Sequence, residues 1–478
     1  MITTPELPEN FDIAELRSEI LFLKNMVMEL KEELTQVKKE RDELKEEVKR
    51  LKSQLNLNSQ NSSKPPSSDG LKKIEPAFPR SSTGNKPGGQ PGHKAHKLQK
   101  VDNPDKIVIC RANTCTCGCC LETVEGQTIA RRQKADMPKI LIETTEYQVQ
   151  VVKCPNCGAV NRGTFPEDIK ADMQYGARVK AFTVLLRNML SVPYAKVCEL
   201  FYNLTQFRLN ASTVYNNDAV LFDKLKPIET LILVRLLQSN AAHSDETGMR
   251  CEGTLKWLHV FSNNLFTYLF LHDKRGKQAI ESEYCHLHEY KGWLIHDCWS
   301  SYFNITSVKH AVCGAHLLRE LKALMEEQSV WAEQFHAFLL RVKGTEFEKR
   351  IAQRSEIEAE FDQIIQQGQQ EEPLPQKNGK KGRVKRTKGR NLLERLEKLK
   401  ESVLAFAFNA EVPFTNNQAE RDIRPTKTKM KVSGCFRDFQ AGQMFARIHG
   451  FISTVKKHGQ SVFDTLVDVF EGKKYVVV

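Results

Sequence analysis

Three stretches, 241-AAHSDETGMR-250, 255-LKWLHVFSN-263 and 265-LFTYLFLHD-273, stand one after another and decide the fold. The last two are rich in aromatic and aliphatic residues, and short polar turns join all three, so three successive strands are predicted. Residues 277-KQAIESEYC-285 read as a helix, and 292-GWLIHDCW-299 and 310-HAVCGAH-316 as two further strands. Strands followed by a helix and then more strands make an α/β pattern. Asp245 lies late in the first strand and Asp297 ends the fourth. In a ribonuclease-H-like sheet those two strands are parallel neighbours, so the two carboxylates face one another. Bare, they would repel and raise a pKa. A divalent cation with a preference for hard oxygen ligands removes the conflict.

Beyond the strands, residues 317–411 read as a polar helical insertion. It contains 376-QKNGKKGRVKRTKGR-390, in which 377–390 carries eight basic residues and no acid. After it comes 413-PFTNNQAERDIRP-425. Thr415 and Gln418 are spaced as a capping box, which predicts a helix from about Asn416, and Pro425 should end or kink it. Asn416, Asn417, Glu420 and Arg424 then share one helix face.

Upstream, 174–235 has helical spacing with a break near 207-FRLNAS-212, a helix-break-helix shape. Residues 101–165 read as a small β module: 141-LIETTEYQVQVV-152 alternates like a strand and has cysteines on both sides. Cys154 and Cys157 in 154-CPNCG-158 have the spacing of a zinc knuckle. Their partners come from Cys110, Cys115, Cys117, Cys119 and Cys120, of which Cys117 and Cys120 keep the two-residue spacing. Residues 57–100 are rich in Ser, Pro, Gly and Lys and read as a flexible basic linker. From Ile13 to Leu55 apolar residues step by three and four over six heptads, broken only by Arg41. This predicts a coiled coil over 1–56, and its Ile/Val at a and Leu at d favour a parallel dimer.

The chain has 478 residues, 40% of them apolar, and a formal charge of +12, which points to a polyanionic partner such as nucleic acid. No apolar run is long enough for a membrane span, and the N-terminus lacks a secretory pattern. An intracellular protein is expected, with its 13 cysteines outside any disulfide framework.

These stretches resemble the insertion-sequence 66 family of bacterial transposases. The likeness is carried by "HSDETGMR", "KWLHVFSN", "HDCWSSYF", "CGAHLLREL", "NNQAERDIRPTKTKMKVSGCFRD" and "FARIHGFISTVKKHG", with "SQNSSKPPSSDG", "GGQPGHKAHK" and "CPNCG" upstream. The resemblance implies a multidomain chain: a coiled coil (1–56), a linker (57–100), a zinc-binding β module (101–165), a helix-turn-helix-like domain (166–238), a ribonuclease-H-like catalytic domain (239–455, with insertion 317–411) and a helical tail (456–478). It implies Asp245, Asp297 and Glu420 as a catalytic triad holding Mg²⁺ or Mn²⁺ for two-metal phosphoryl transfer, in which element ends are nicked and joined to target DNA. Asn417, Arg421, Arg424, Lys427 and Lys431 are candidates for contact with double-stranded DNA. The family's Cys-Gly-x-x-Leu ending favours Cys115 with Cys117 over Cys117 with Cys120, so the zinc ligands beside Cys154 and Cys157 stay open. Cys313 and His316 make a Cys-x2-His pair to which no metal is assigned. The expected setting is the bacterial cytoplasm, at the nucleoid when bound to DNA, in a homodimer or higher assembly, with accessory proteins of the element as further partners. The alternatives are a related nuclease without strand transfer and a DNA-binding regulator derived from a transposase.

Overall fold

A computed structural model describes residues 13–55, 58, 61–62, 100–375 and 386–475, apart from 111, 124, 126, 137–141 and 474. Nearly all of the expected linker and the basic run at 376–385 lie outside the described residues. The chain divides into two compact units, residues 1–77 with 313–410, and residues 78–312 with 411–478.

In the second unit the cysteine-bearing segment forms a small antiparallel hairpin of β1 (Val151–Lys153) and β2 (Val160–Arg162). The strand expected over 141–152 is therefore confined to its last residues. Positions 143–147 are exposed, and Tyr147 keeps 47% of its surface in water, so the alternation there has no second layer to bury. The main sheet comprises β3 (Ala241–Cys251), β4 (Thr254–Ser262), β5 (Thr267–His272), β6 (Trp293–His296) and β7 (Lys309–Val312), in the order β5-β4-β3-β6-β7. β4 runs antiparallel to β3 and β5, while β3, β6 and β7 are parallel. The turn from β3 to β4 is Glu252-Gly253, both with positive φ (54° and 72°), the two-residue geometry whose twist suits a hairpin.

The expected helix over 277–285 shrinks to Lys277–Ile280, because Ser282 turns its hydroxyl onto the Ala279 carbonyl and the chain leaves the helix there. The expected strand over 310–316 ends at Val312, and a helix already begins at Gly314.

The helix Phe439–Lys457 packs against β5. Two glycines two turns apart permit this. A Cβ on Gly442 would come within 2.6 Å of Leu271 Cδ2, and one on Gly450 within 3.0 Å of the Thr267 carbonyl. The upstream helices Ala177–Val184, Tyr194–Thr205, Ala211–Lys224 and Lys226–Leu237 include the expected break, at 206–210, where Gln206 adopts φ 62°. Ala181, Leu221 and Leu236 from these helices share one apolar core with Leu258, Leu294 and Phe451.

The first unit contains six helices between Gly314 and Phe408 among the described residues, as the helical insertion predicts. Trp331, Phe335, Phe338 and Phe361 are fully buried there, with the Phe335 and Phe361 rings 5.2 Å apart edge to face. Backbone amides of Val330 and Trp331 donate to the Glu371 carboxylate, each at 3.0 Å, which satisfies the exposed start of the helix Val330–Gly344. The long helix Ile13–Leu55 is one continuous element.

Candidate active site

Asp245 is the fifth residue of β3, in mid-strand rather than late in it, because the hairpin with β4 carries β3 on to Cys251. The ladder to β6, however, covers only Ala241↔Trp293 to His243↔Ile295. Continued at the same offset, Asp245 is level with Asp297, which directly follows β6. Asp245 thus stands where the parallel pair opens. Burial, the charge of neighbouring Glu246 and then those of Asp297 and Glu420 push the Asp245 carboxyl up to about 8, against the pull of the Glu246 amide that donates to its Oδ1 at 2.9 Å. Asp245 therefore lies within the field of both other acids.

Glu420 is in the first turn of the helix Asn417–Ser433. That helix is fixed to both halves of β3. At its start, the Asn416 side chain accepts from His243 Nδ1 (2.9 Å) through Oδ1 and donates through Nδ2 to the Ser244 carbonyl (2.8 Å). Because the amide nitrogen is spent on that carbonyl, Oδ1 must accept, and His243 carries its proton on Nδ1. Burial lowers the His243 pKa to about 4, so the ring is neutral at ordinary pH. Just past its end, Phe436 accepts from the Glu252 amide (3.0 Å) and donates to the Arg250 carbonyl (2.9 Å). Between these clamps, buried Asp422 pairs with Lys457 at 2.7 Å and accepts from Ser453 at 3.0 Å.

Two local expectations are corrected here. The helix is capped by Asn416, with no side-chain cap bond, rather than by a Thr415–Gln418 box, because the Asn416 amide is committed to β3. Pro425 does not end the helix, which continues to Ser433 while buried Asp422, Ile423, Thr426 and Lys429 hold the turns on either side.

A second group of residues was not legible as functional in the sequence. Glu246, next to Asp245, has a side chain only 1% exposed and pairs with Arg275 at 2.7 Å. Its other oxygen accepts from the Tyr302 hydroxyl at 2.5 Å. The Arg275 guanidinium lies over the rings of Trp257 (5.1 Å) and Trp299 (4.5 Å). This brace holds the strand beside Asp245 against the segment after Asp297. The only sequence signal for it was the acid-acid pair in "SDET". His296 is fully buried, joined to His310 at 3.0 Å and lowered to about 3 by burial, the packing histidine its position allows.

The family described as Transposase IS66 family matches residues 172–444, more than half of the chain and all three acids. The chain belongs to that family. Residues 5–99 match a second family, one of unknown function (DUF6444), and no curated protein matches. A transposase family implies an enzyme acting on DNA and using divalent metal. No described helix is long and apolar enough to cross a membrane.

Within the region matched by the IS66 family, Asn417, Arg421, Arg424, Lys427 and Lys431 are all exposed on the helix of Glu420. Lys429, by contrast, is turned inward and donates to the Arg187 carbonyl at 3.0 Å. The cysteine segment lies outside both family matches. There the Cys154 thiol is held below its usual range by hydrogen bonds from the Cys157 and Asn156 backbone and from the Cys157 thiol. The Cys115 thiol is lowered in the same way by the Cys117 backbone and thiol, and by Thr116. Cys157 and Cys117 each precede a glycine of positive φ, Gly158 (74°) and Gly118 (89°). Each turn closes on that glycine, the Gly118 amide donating to the Cys115 carbonyl and the Gly158 amide to the Cys154 carbonyl, both at 2.9 Å. Cys120 instead bridges to Thr114 through its backbone. Among the described residues, the two thiol pairs are not gathered into a single group of three or more ligands. Cys313 is buried at the start of the helix Gly314–Met325, one turn before His316.

Proposed function

We propose that this protein is a transposase of the acidic-triad (DDE) kind, which nicks the ends of an insertion sequence and joins them to target DNA, with Asp245, Asp297 and Glu420 as its catalytic acids. The observation that carries the reading is that Asp245 lies in the field of Asp297 and Glu420, with Asp245 and Asp297 level where two parallel neighbouring strands part. The sheet order, with only the second strand reversed, supports a ribonuclease-H-like core interrupted by the helices of 314–408. The donor set fits a hard divalent cation: it is all carboxylate, and Glu420 Oε1 is buried with no hydrogen-bond partner among the described residues. Mg²⁺ or Mn²⁺ held by Asp245, Asp297 and Glu420 would supply Lewis-acid activation of the phosphate and of the attacking oxygen.

The reaction exchanges one phosphodiester bond for another. Water attacks the phosphorus at the element's end and a 3′-hydroxyl leaves. That hydroxyl then attacks a target phosphorus and displaces a target 3′ oxygen. No covalent protein intermediate is required. The residues of the chain hold the geometry: Asn416 and Phe436 fix the Glu420 helix, and Glu246 with Arg275 fixes the strand of Asp245. Asn417, Arg421, Arg424, Lys427 and Lys431 grip backbone phosphates. A structural zinc bound by Cys154 and Cys157 with Cys115 and Cys117, Cys120 being the alternative, would lock the hairpin module, and the N-terminal coiled coil would hold two copies for two DNA ends. The cysteine turns support the first ligand choice.

The test is joining of a labelled terminal inverted repeat to plasmid DNA in Mg²⁺. Asp245→Ala, Asp297→Ala and Glu420→Ala should each abolish cutting and joining but keep end binding. Full strand transfer by any of them would sink the assignment. Cutting without joining by the wild type would indicate a nuclease, and binding alone a regulator.

A further inference from the structure

Among the described residues nothing covers the heptad seam of the helix Ile13–Leu55: its residues from Ile20 to Leu51 are each 45–65% exposed, apart from Arg41. What covers it is written in the flanking positions. With Ile20, Val27, Leu34 and Val48 at a and Leu23, Leu30, Val37 and Leu44 at d, the positions after d are Arg17, Lys24, Lys31, Lys38, Lys45 and Lys52, every one basic. The positions before a are Asp12, Glu19, Met26, Glu33, Glu40 and Glu47, all acidic but Met26. Both rows border the seam.

We infer that the seam binds a second copy of this chain, as a parallel, in-register two-stranded coiled coil. In that arrangement each residue before a meets the partner's residue after the next d. Glu19 meets the partner's Lys24, Glu33 the partner's Lys38, and Glu40 the partner's Lys45, with the reciprocal pairs on the other side. In an antiparallel pair the acidic row would face the acidic row and the basic row the basic row, repulsive along the whole length. Charge thus selects the orientation as well as the partner.

Arg41 sets the register. It occupies an a position and in the single chain pairs with its own neighbour Asp42 at 2.7 Å. Paired in register, two Arg41 side chains stand together, each beside the partner's Glu40. A slip of one heptad sets each Arg41 against the partner's Leu34 or Val48 and buries two charges at separate places. The parallel arrangement also has a consequence for the transposase reading, on which the pairing itself does not depend. Both chains leave the coil at the same end. An antiparallel coil of this length would separate the two exits by about 65 Å.

The experiment uses the full chain and measures its mass by light scattering and sedimentation. Wild type should give twice 54.7 kDa. Replacing one row, by Lys24→Glu, Lys31→Glu, Lys38→Glu and Lys45→Glu together, turns attraction into repulsion only in the parallel arrangement, because an antiparallel pair is repulsive before and after. It should weaken dimerisation at least about a hundredfold, with partial recovery in 1 M salt. Adding Glu19→Lys, Glu33→Lys and Glu40→Lys to the same chain restores attraction at the reversed pairs and should restore the dimer. A wild type that stays monomeric at tens of micromolar, a trimer, or a dimer indifferent to the single-row reversal would each overturn the inference. Strand-transfer assays on the same samples keep the pairing separate from the catalytic reading: a restored dimer without joining activity would fail the latter alone.

Discussion

Replacing Asp245 by Asn should stabilise the metal-free protein while destroying its activity. Burial and three neighbouring acids raise the Asp245 carboxyl from 3.8 to about 8. A raised carboxyl pKa means that the folded state holds a proton the unfolded chain has released. Stability from this group is therefore fully present below about pH 4 and is lost as pH rises toward 8. At pH 7 the unrelieved cost of the shift is about 4 kcal/mol, and sharing of protons with Glu246, which is also pushed up by burial, brings it to about 2–4 kcal/mol. Asn removes that cost and keeps an oxygen for the Glu246 amide. Thermal unfolding of the full chain in EDTA should show Asp245→Asn melting about 3–6 °C above wild type at pH 7–8, with the gap closing near pH 4. Excess Mg²⁺ should raise the wild-type midpoint and leave the variant's unchanged. A variant no more stable than wild type at pH 8 without metal would refute the reasoning, because the acids would then not share a desolvated site.

Asn416→Ala removes both side-chain bonds from the Glu420 helix to β3. Strand transfer should fall about a hundredfold with end binding within twofold of wild type, since only the relative placement of the acids is lost. A parallel loss of end binding would point instead to general unfolding. Cys115→Ser, Cys117→Ser, Cys154→Ser and Cys157→Ser should each lower the zinc content of purified protein measured by atomic emission, whereas Cys119→Ser and Cys120→Ser should not. Zinc lost with Cys120 and kept with Cys115 would return the choice to the plain two-residue spacing. Arg424→Ala with Lys431→Ala should weaken binding of all DNA sequences alike and reduce the slope of log affinity against log salt by about two. An unchanged slope would take these two side chains off the phosphate backbone.

Much of the architecture was legible from local pattern. The three strands from Ala241 to His272, the strand Trp293–His296 and the helical insertion announce themselves because burial of one face or both writes a periodicity into the sequence. Local pattern misled in two places: 143–148 alternates like a strand but stays exposed, and tertiary contacts keep Pro425 inside a helix that runs on to Ser433. The acids show the same division. Asp245 and Asp297 were placed by strand ends, although β3 proved longer than its pairing with β6. Glu420, on a helix far along the chain, was placed by family likeness, not by any local signal.

By itself, then, the sequence determined the classes of the elements, the basic character and the heptad seam with its charged borders, all of which are properties of neighbouring residues. The tertiary structure alone decided that Asp245 lies in the field of Asp297 and Glu420, that Asn416 and His243 clamp the helix to the strand, and that Glu246 and Arg275 brace the strand of Asp245. Those are contacts between residues up to 173 positions apart. Their energies come from desolvation and charge in a folded interior, and no local reading of the chain contains that interior.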